Sequence, residues 1–193
     1  MKKVLLAVFT VLTIMSVNAQ EKGKIRVGLD LGYVFATGGG GVLVNLEPKY
    51  NIADNMSVGI RFSSAAVGRN LTSPDITDSD ALDIDLAFNS SYLATFDYYF
   101  NKGNSSTAPY IGAGLGSYSF GKITGIEPGL NELPDAESKF GGMIRGGVEF
   151  GKFKLGVEYN IVPSTDYGDD ITSTNSYFGA SVGFYVGGGK WGK

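Results

Sequence analysis

Ile25-Arg26-Val27-Gly28-Leu29-Asp30-Leu31-Gly32-Tyr33-Val34-Phe35-Ala36 is the stretch that decides the fold. Its odd-numbered members, Ile25, Val27, Leu29, Leu31, Tyr33 and Phe35, are all apolar. Between them stand Arg26, Gly28, Asp30, Gly32, Val34 and Ala36. A period of two marks a β-strand whose faces differ chemically, because successive side chains point to opposite sides. One face here is uncharged; the other carries both signs of charge among glycines. The alternation recurs seven more times, so the chain reads as all-β with eight strands.

Working outward from that stretch, the second strand is expected over Val42 to Ile52, with Val44, Leu46 and Tyr50 opposite Asn45, Glu47 and Lys49. The third is expected from Met56 to Ser64 and the fourth from Asp83 to Phe100. The remaining four are expected at Pro109 to Phe120, Lys139 to Phe150, Phe153 to Val162 and Ser176 to Val186. Connections alternate in length. Ala53-Asp54-Asn55, Asn101 to Thr107 and Gly151-Lys152 are tight or modest, whereas Ala65 to Leu82, Gly121 to Ser138 and Pro163 to Asn175 are long and rich in acids. The link Thr37 to Gly41 is short, and Gly38 to Gly41 reads as a flexible hairpin end. Short turns at one end and long loops at the other suit a meander that spans a membrane.

Residues 1–19 read as a secretory signal peptide and residues 20–193 as one barrel domain. Lys2 and Lys3 precede an apolar run from Val4 to Met15, and Val17-Asn18-Ala19 offers the cleavage site. The run is shorter than the roughly 20 residues a spanning helix needs. Its removal takes two lysines and no acid, so the net charge moves from −3 to −5. A weakly acidic chain does not supply the basic face that nucleic acid requires. With no cysteine and no histidine, the chain lacks a disulfide framework, a lipidated cysteine, and the commonest general base and metal ligand. After the signal no apolar run is long enough for a membrane helix.

Two closed sheets share this strand number and alternation, a soluble barrel of lipocalin type and a transmembrane one. The soluble form turns its polar face to water, dense in Lys, Glu and Thr. Here that face is largely glycine with sparse charges, which suits an interior only just wide enough for side chains. A charge at mid-depth in lipid costs about 2–4 kcal/mol, and the apolar faces carry none. Backbone groups in hydrocarbon must all be paired, so the sheet has to close. Aromatics fall at both ends: Tyr50, Tyr98, Phe100, Phe150, Phe153 and Phe184 by the short turns, and Tyr33, Phe35, Phe62, Phe140 and Phe178 by the longer loops. The expected fold is therefore an eight-stranded antiparallel up-and-down transmembrane β-barrel.

Leu46-Glu47-Pro48-Lys49-Tyr50, Pro109-Tyr110-Ile111-Gly112-Ala113-Gly114-Leu115-Gly116 and Gly146-Gly147-Val148-Glu149-Phe150 resemble the small outer-membrane β-barrels of Gram-negative bacteria, the OmpX-like and OmpA-N-terminal-like group. The resemblance covers the whole chain after the signal. It implies a place in the cell outer membrane among its lipids and lipopolysaccharide. The last strand also fits the family's assembly signal at Tyr177, Gly179, Val182 and Phe184, which implies insertion by the outer-membrane assembly machinery. Pro48 removes a ladder donor, so a bulge or a gap in pairing is expected there.

The chief candidate site is the inward charged set Arg26, Asp30, Glu47, Lys49, Arg61, Asp97, Arg145, Glu149, Lys154 and Glu158. Such a set serves either an ion path or an interior ion-pair network that fills the lumen. With eight strands the filled lumen is expected, because open porins need more. The acidic stretch Asp75, Asp78, Asp80 and Asp83 misses the EF-hand spacing and reads as a solvated loop, as do Asp166, Asp169 and Asp170. Gly38 to Gly41 lacks the Lys and Ser/Thr of a phosphate loop. No catalytic residue, cofactor or metal site is expected. The leading expectation is a non-enzymatic integral outer-membrane barrel whose external loops meet lipopolysaccharide, a surface or another ligand. The alternative is a small OmpW-like transporter or channel for hydrophobic molecules or ions; a third reading is a periplasmic lipid-binding barrel.

Overall fold

The computed structural model describes residues 22–36, 39–70, 84–101, 105–123, 137–166 and 172–188. The signal segment, the acidic residues Asp75, Asp78, Asp80 and Asp83, and Asp169 and Asp170 lie outside them, as does Gly38. Eight strands make the barrel: β1 (Ile25–Ala36), β2 (Gly39–Ala53), β3 (Met56–Asn70), β4 (Ile84–Tyr99), β5 (Thr107–Ile123), β6 (Glu137–Phe150), β7 (Phe153–Ile161) and β8 (Tyr177–Gly187). Each pairs antiparallel with its neighbours in sequence, and β8 closes on β1. A two-residue ribbon, Thr165–Asp166 against Thr172–Ser173, lies in the connection from β7 to β8.

The register reveals the stagger of the barrel. Paired residues lead from Ile25 through Tyr50, Val58, Phe96, Ala113, Ile144, Tyr159 and Phe178 to Phe35. One circuit thus returns to β1 ten residues further on, from 25 to 35. Closing a sheet demands such a shear together with tilted strands, and with eight strands it leaves a bore that side chains alone can fill. The outer wall is largely apolar, with hydroxyl side chains such as Ser64, Thr107 and Ser138 nearer the strand ends. Every strand residue that is exposed among those described is uncharged.

The strands run further toward the long loops than alternation suggests. β3 reaches Asn70 instead of stopping at Ser64, because Ala65 and Val67 are buried in the lumen and pairing with β4 continues to the last residue. Phe62 therefore sits mid-strand, edge-on to Tyr92 at 5.7 Å, and is no part of an end ring. Gly39–Gly41 belong to the ladder of β2 and are no loose hairpin end, pairing with β1 on one side and β3 on the other. A Cβ at Gly41 would run into the Ala66 carbonyl, so glycine lets β2 and β3 approach there.

Pro48 produces a gap. Pairing of β2 with β3 passes from Leu46↔Phe62 to Lys49↔Gly59 without including Glu47 or Pro48, and the register is the same on either side. The ladder slips elsewhere, between Asn51 and Ala53. At the β6–β7 turn, Gly151 has φ of 62°, a positive value that two-residue hairpin turns require.

Candidate functional site in the barrel lumen

Strand parity sends the ten inward charges into one bore, where each is at most 6% exposed. Burying charge at that depth costs several kcal/mol per ion unless a partner compensates. All ten meet a partner of opposite sign. Near the turn end, the Arg26 guanidinium donates to Glu149 Oε2 at 2.8 Å and lies between the rings of Tyr99 and Tyr185, 5.0 and 4.7 Å from their centroids. It also hydrogen-bonds the Tyr99 hydroxyl, which donates to Glu149 Oε1 at 3.0 Å.

Above this stack lies a quartet. Arg145 donates to Asp97 through Nε (2.8 Å) and Nη2 (2.9 Å), and to Glu47 through Nη1 (2.9 Å) and Nη2 (2.7 Å). Lys49 Nζ lies 2.5 Å from Asp97 Oδ2 and 3.3 Å from Glu47 Oε2, and Thr95 donates to Glu47 at 2.7 Å. Lys154 pairs with Asp30 at 2.6 Å. Nearer the long loops Arg61 pairs with Glu158, and its Nε donates to Ser63 at 2.9 Å. Asn160 and Tyr118 extend that pair, Asn160 donating to Glu158 at 3.0 Å and receiving the Tyr118 hydroxyl at 2.8 Å. Five cations face five anions in all, so this set carries no net charge.

Two of these pairs cross over a glycine. Gly112 on β5 stands between Asp97 on β4 and Arg145 on β6 in the ladder; Gly183 on β8 stands between Asp30 on β1 and Lys154 on β7. A Cβ at either glycine would collide with the aspartate carboxylate. The inward glycines are thus the space through which long side chains reach across an intervening strand.

The rest of the bore is packed. Val34, Leu43, Ala65, Leu93, Tyr118, Met143 and Tyr177 form an apolar cluster toward the loop end, and Tyr99, Ala108 and Tyr110 form another at the turn end. These layers were absent from the sequence expectation, which saw glycine and charge on the inward face. The signal was nevertheless there: Tyr99 shares the parity of Asp97, Leu43 that of Glu47, and Met143 that of Arg145. A void of about 10 Å³ beside Asp30, Glu47, Lys49 and Lys154 is room for roughly one water.

Chemically, Glu47, Asp97 and Glu149 are saturated by charge-assisted hydrogen bonds, which leaves none of the three poised as a base open to a substrate. Among the described residues no three carboxylates converge as a metal ion would need. Of the four assembly-signal positions, Tyr177 and Gly179 face inward and are buried, while Val182 and Phe184 face outward, 59% and 45% exposed.

The family described as outer membrane protein beta-barrel domain matches residues 4–184. Among solved structures, Neisserial surface protein A aligns with 84% of this chain and 95% of its own at 15% identity and a TM-score of 0.55. The N-terminal β-barrel domain of OprF from Pseudomonas aeruginosa aligns with 86% of this chain and 98% of its own, at 13% identity and a TM-score of 0.52. OprG from the same organism aligns with 89% and 99%, at 12% identity and a TM-score of 0.52. At such identities these likenesses speak for the fold alone. No curated protein matches the sequence.

Proposed function

This chain belongs to the outer membrane protein beta-barrel domain family, and from that premise we propose that it is a non-enzymatic, non-conducting barrel whose filled lumen is structural. It resides in the cell outer membrane, its apolar wall against lipid. The single observation that supports a plugged lumen is the complete pairing of Arg26, Lys49, Arg61, Arg145 and Lys154 with five acids across the bore. An ion crossing it would have to displace two or more charge-assisted hydrogen bonds at once. In this reading residues 1–19 are removed on export and the outer-membrane assembly machinery inserts the barrel by its last strand. The longer, acid-rich connections are then left to meet lipopolysaccharide or a ligand.

The reading is tested by conductance in planar bilayers. The reconstituted chain is expected to give no steady current. A steady, ion-selective current that disappears in Arg61→Ala or Arg145→Ala would overturn the plug. The OmpW-like alternative would bring a hydrophobic passenger to the apolar cluster toward the loops, Val34, Leu43, Leu93 and Met143 among it. Saturable binding of an alkyl probe that weakens in Leu43→Ala would move the assignment that way.

A further inference from the structure

The outer wall is furrowed where β6, β7, β8 and β1 adjoin. Two ladder rows flank the larger furrow: Tyr33–Ala180–Val157–Gly146 on the loop side and Leu31–Val182–Leu155–Val148 on the turn side. Ala180 and Gly146 leave the first row low in the middle and at one end. Behind it the inward row Gly32–Ser181–Gly156–Gly147 is small as well, so the wall is thin here on both faces. The furrow has a volume of about 600 Å³. A second, of about 270 Å³, follows the turn-side flank toward Phe150, Phe153 and Phe184.

We propose that the larger furrow seats one acyl chain of a phospholipid from the membrane leaflet on the turn side of the barrel. The inference rests on the membrane placement above and adds a particular seat to it. Across three inter-strand steps the furrow is about 14 Å long, an open trough rather than an enclosed cup. No side chain that faces it outward is charged, so it offers a headgroup nothing and a hydrocarbon chain everything. Its foot, Val148 and Leu155, lies two residues from the strand ends joined by Gly151-Lys152, and the furrow rises from there to the middle of the wall at Leu31 and Val182, so it is entered from the leaflet at that end.

A second copy of the chain fits poorly. About a dozen outward residues line the two furrows together, against roughly 20–30 a side in a standard protein interface. A twofold contact centred on the furrow would also set hollow against hollow and leave the combined space empty, because a symmetric interface brings the same patch to both sides.

The test uses the full chain in phosphatidylethanolamine–phosphatidylglycerol vesicles doped with a phospholipid carrying a mid-chain diazirine. After illumination, peptides of β6, β7 and β8 should be labelled several-fold more than the wall around Ile60 and Phe62. Gly146→Phe with Ala180→Phe fills the furrow and should level that difference. Ala180→Leu, a smaller change, should reduce it and keeps the comparison readable if the double variant does not close. Even labelling of the wild type, or enrichment that survives filling, overturns the proposal. So does enrichment seen only with photoreactive lipopolysaccharide in the opposite leaflet. A disulfide between copies of Ala180→Cys at low protein-to-lipid ratio would make the occupant another barrel and overturn it too. Flotation with vesicles and gel mobility without boiling report separately on insertion and closure, so failure of the seat is distinct from failure of the membrane reading.

Discussion

Arg145 makes four charge-assisted hydrogen bonds to Glu47 and Asp97, and its truncation leaves both acids buried with Lys49 as their remaining cation. Removing one partner of a buried pair costs about 3–5 kcal/mol, so Arg145→Ala should lower stability by that order in urea unfolding from detergent micelles. Arg145→Met combined with Asp97→Asn removes one charge of each sign and should recover part of the loss. The bridging glycines make a second prediction. Gly183→Ala would press on the Asp30 carboxylate beneath the Asp30–Lys154 pair, and overpacking of this kind costs about 1–3 kcal/mol. Gly121→Ala meets nothing within 4 Å and should stay within about 0.5 kcal/mol of wild type by the same measurement. At this scale, parity alone assigned all ten charges to one face. Which cation meets which acid was not legible, because Arg26 and Glu149 are 123 residues apart and only closure of the sheet juxtaposes them.

β5 carries the wall argument most plainly, with Ile111, Ala113 and Leu115 outward and Gly112, Gly114 and Gly116 inward. Leu115, mid-strand and 62% exposed, faces hydrocarbon. A charge there costs about 2–4 kcal/mol at the bilayer midplane, so Leu115→Arg should lose that much folding free energy in vesicles. The effect should shrink in detergent, where water reaches the wall. The alternation that identifies such strands is strong in their middles and weak toward the loops. Ala65-Ala66-Val67-Gly68 has no polar member to mark a face, which is why the outer part of β3 was legible only as loop. Pairing with β4 supplies the hydrogen bonds that keep this stretch extended regardless of its side-chain pattern.

For the molecule as a whole, closure is the property to measure. A barrel with no free edge and a packed bore resists detergent until heated, so unboiled and boiled samples should migrate differently on a gel. Identical migration would contradict the closed circuit from Ile25 to Phe35. Cooperative loss of the faster band over a narrow temperature range is the expected form, because no strand can leave without exposing unpaired backbone to lipid.

Strand number, the identity of the two faces, the antiparallel meander and the membrane setting were determined by the sequence itself. Each is a local property: period two, uncharged outward positions, and short turns such as Gly151-Lys152 that can only join adjacent antiparallel strands. The ten-residue stagger, the pairing of Arg145 with acids on β2 and β4, the tyrosine layers at Tyr99 and Tyr185, and the furrow over Gly146 and Ala180 were decided by tertiary structure. They depend on how far each strand slides against the next. That slide is set by joint packing of side chains from all eight strands in one narrow bore, which no single stretch of sequence contains.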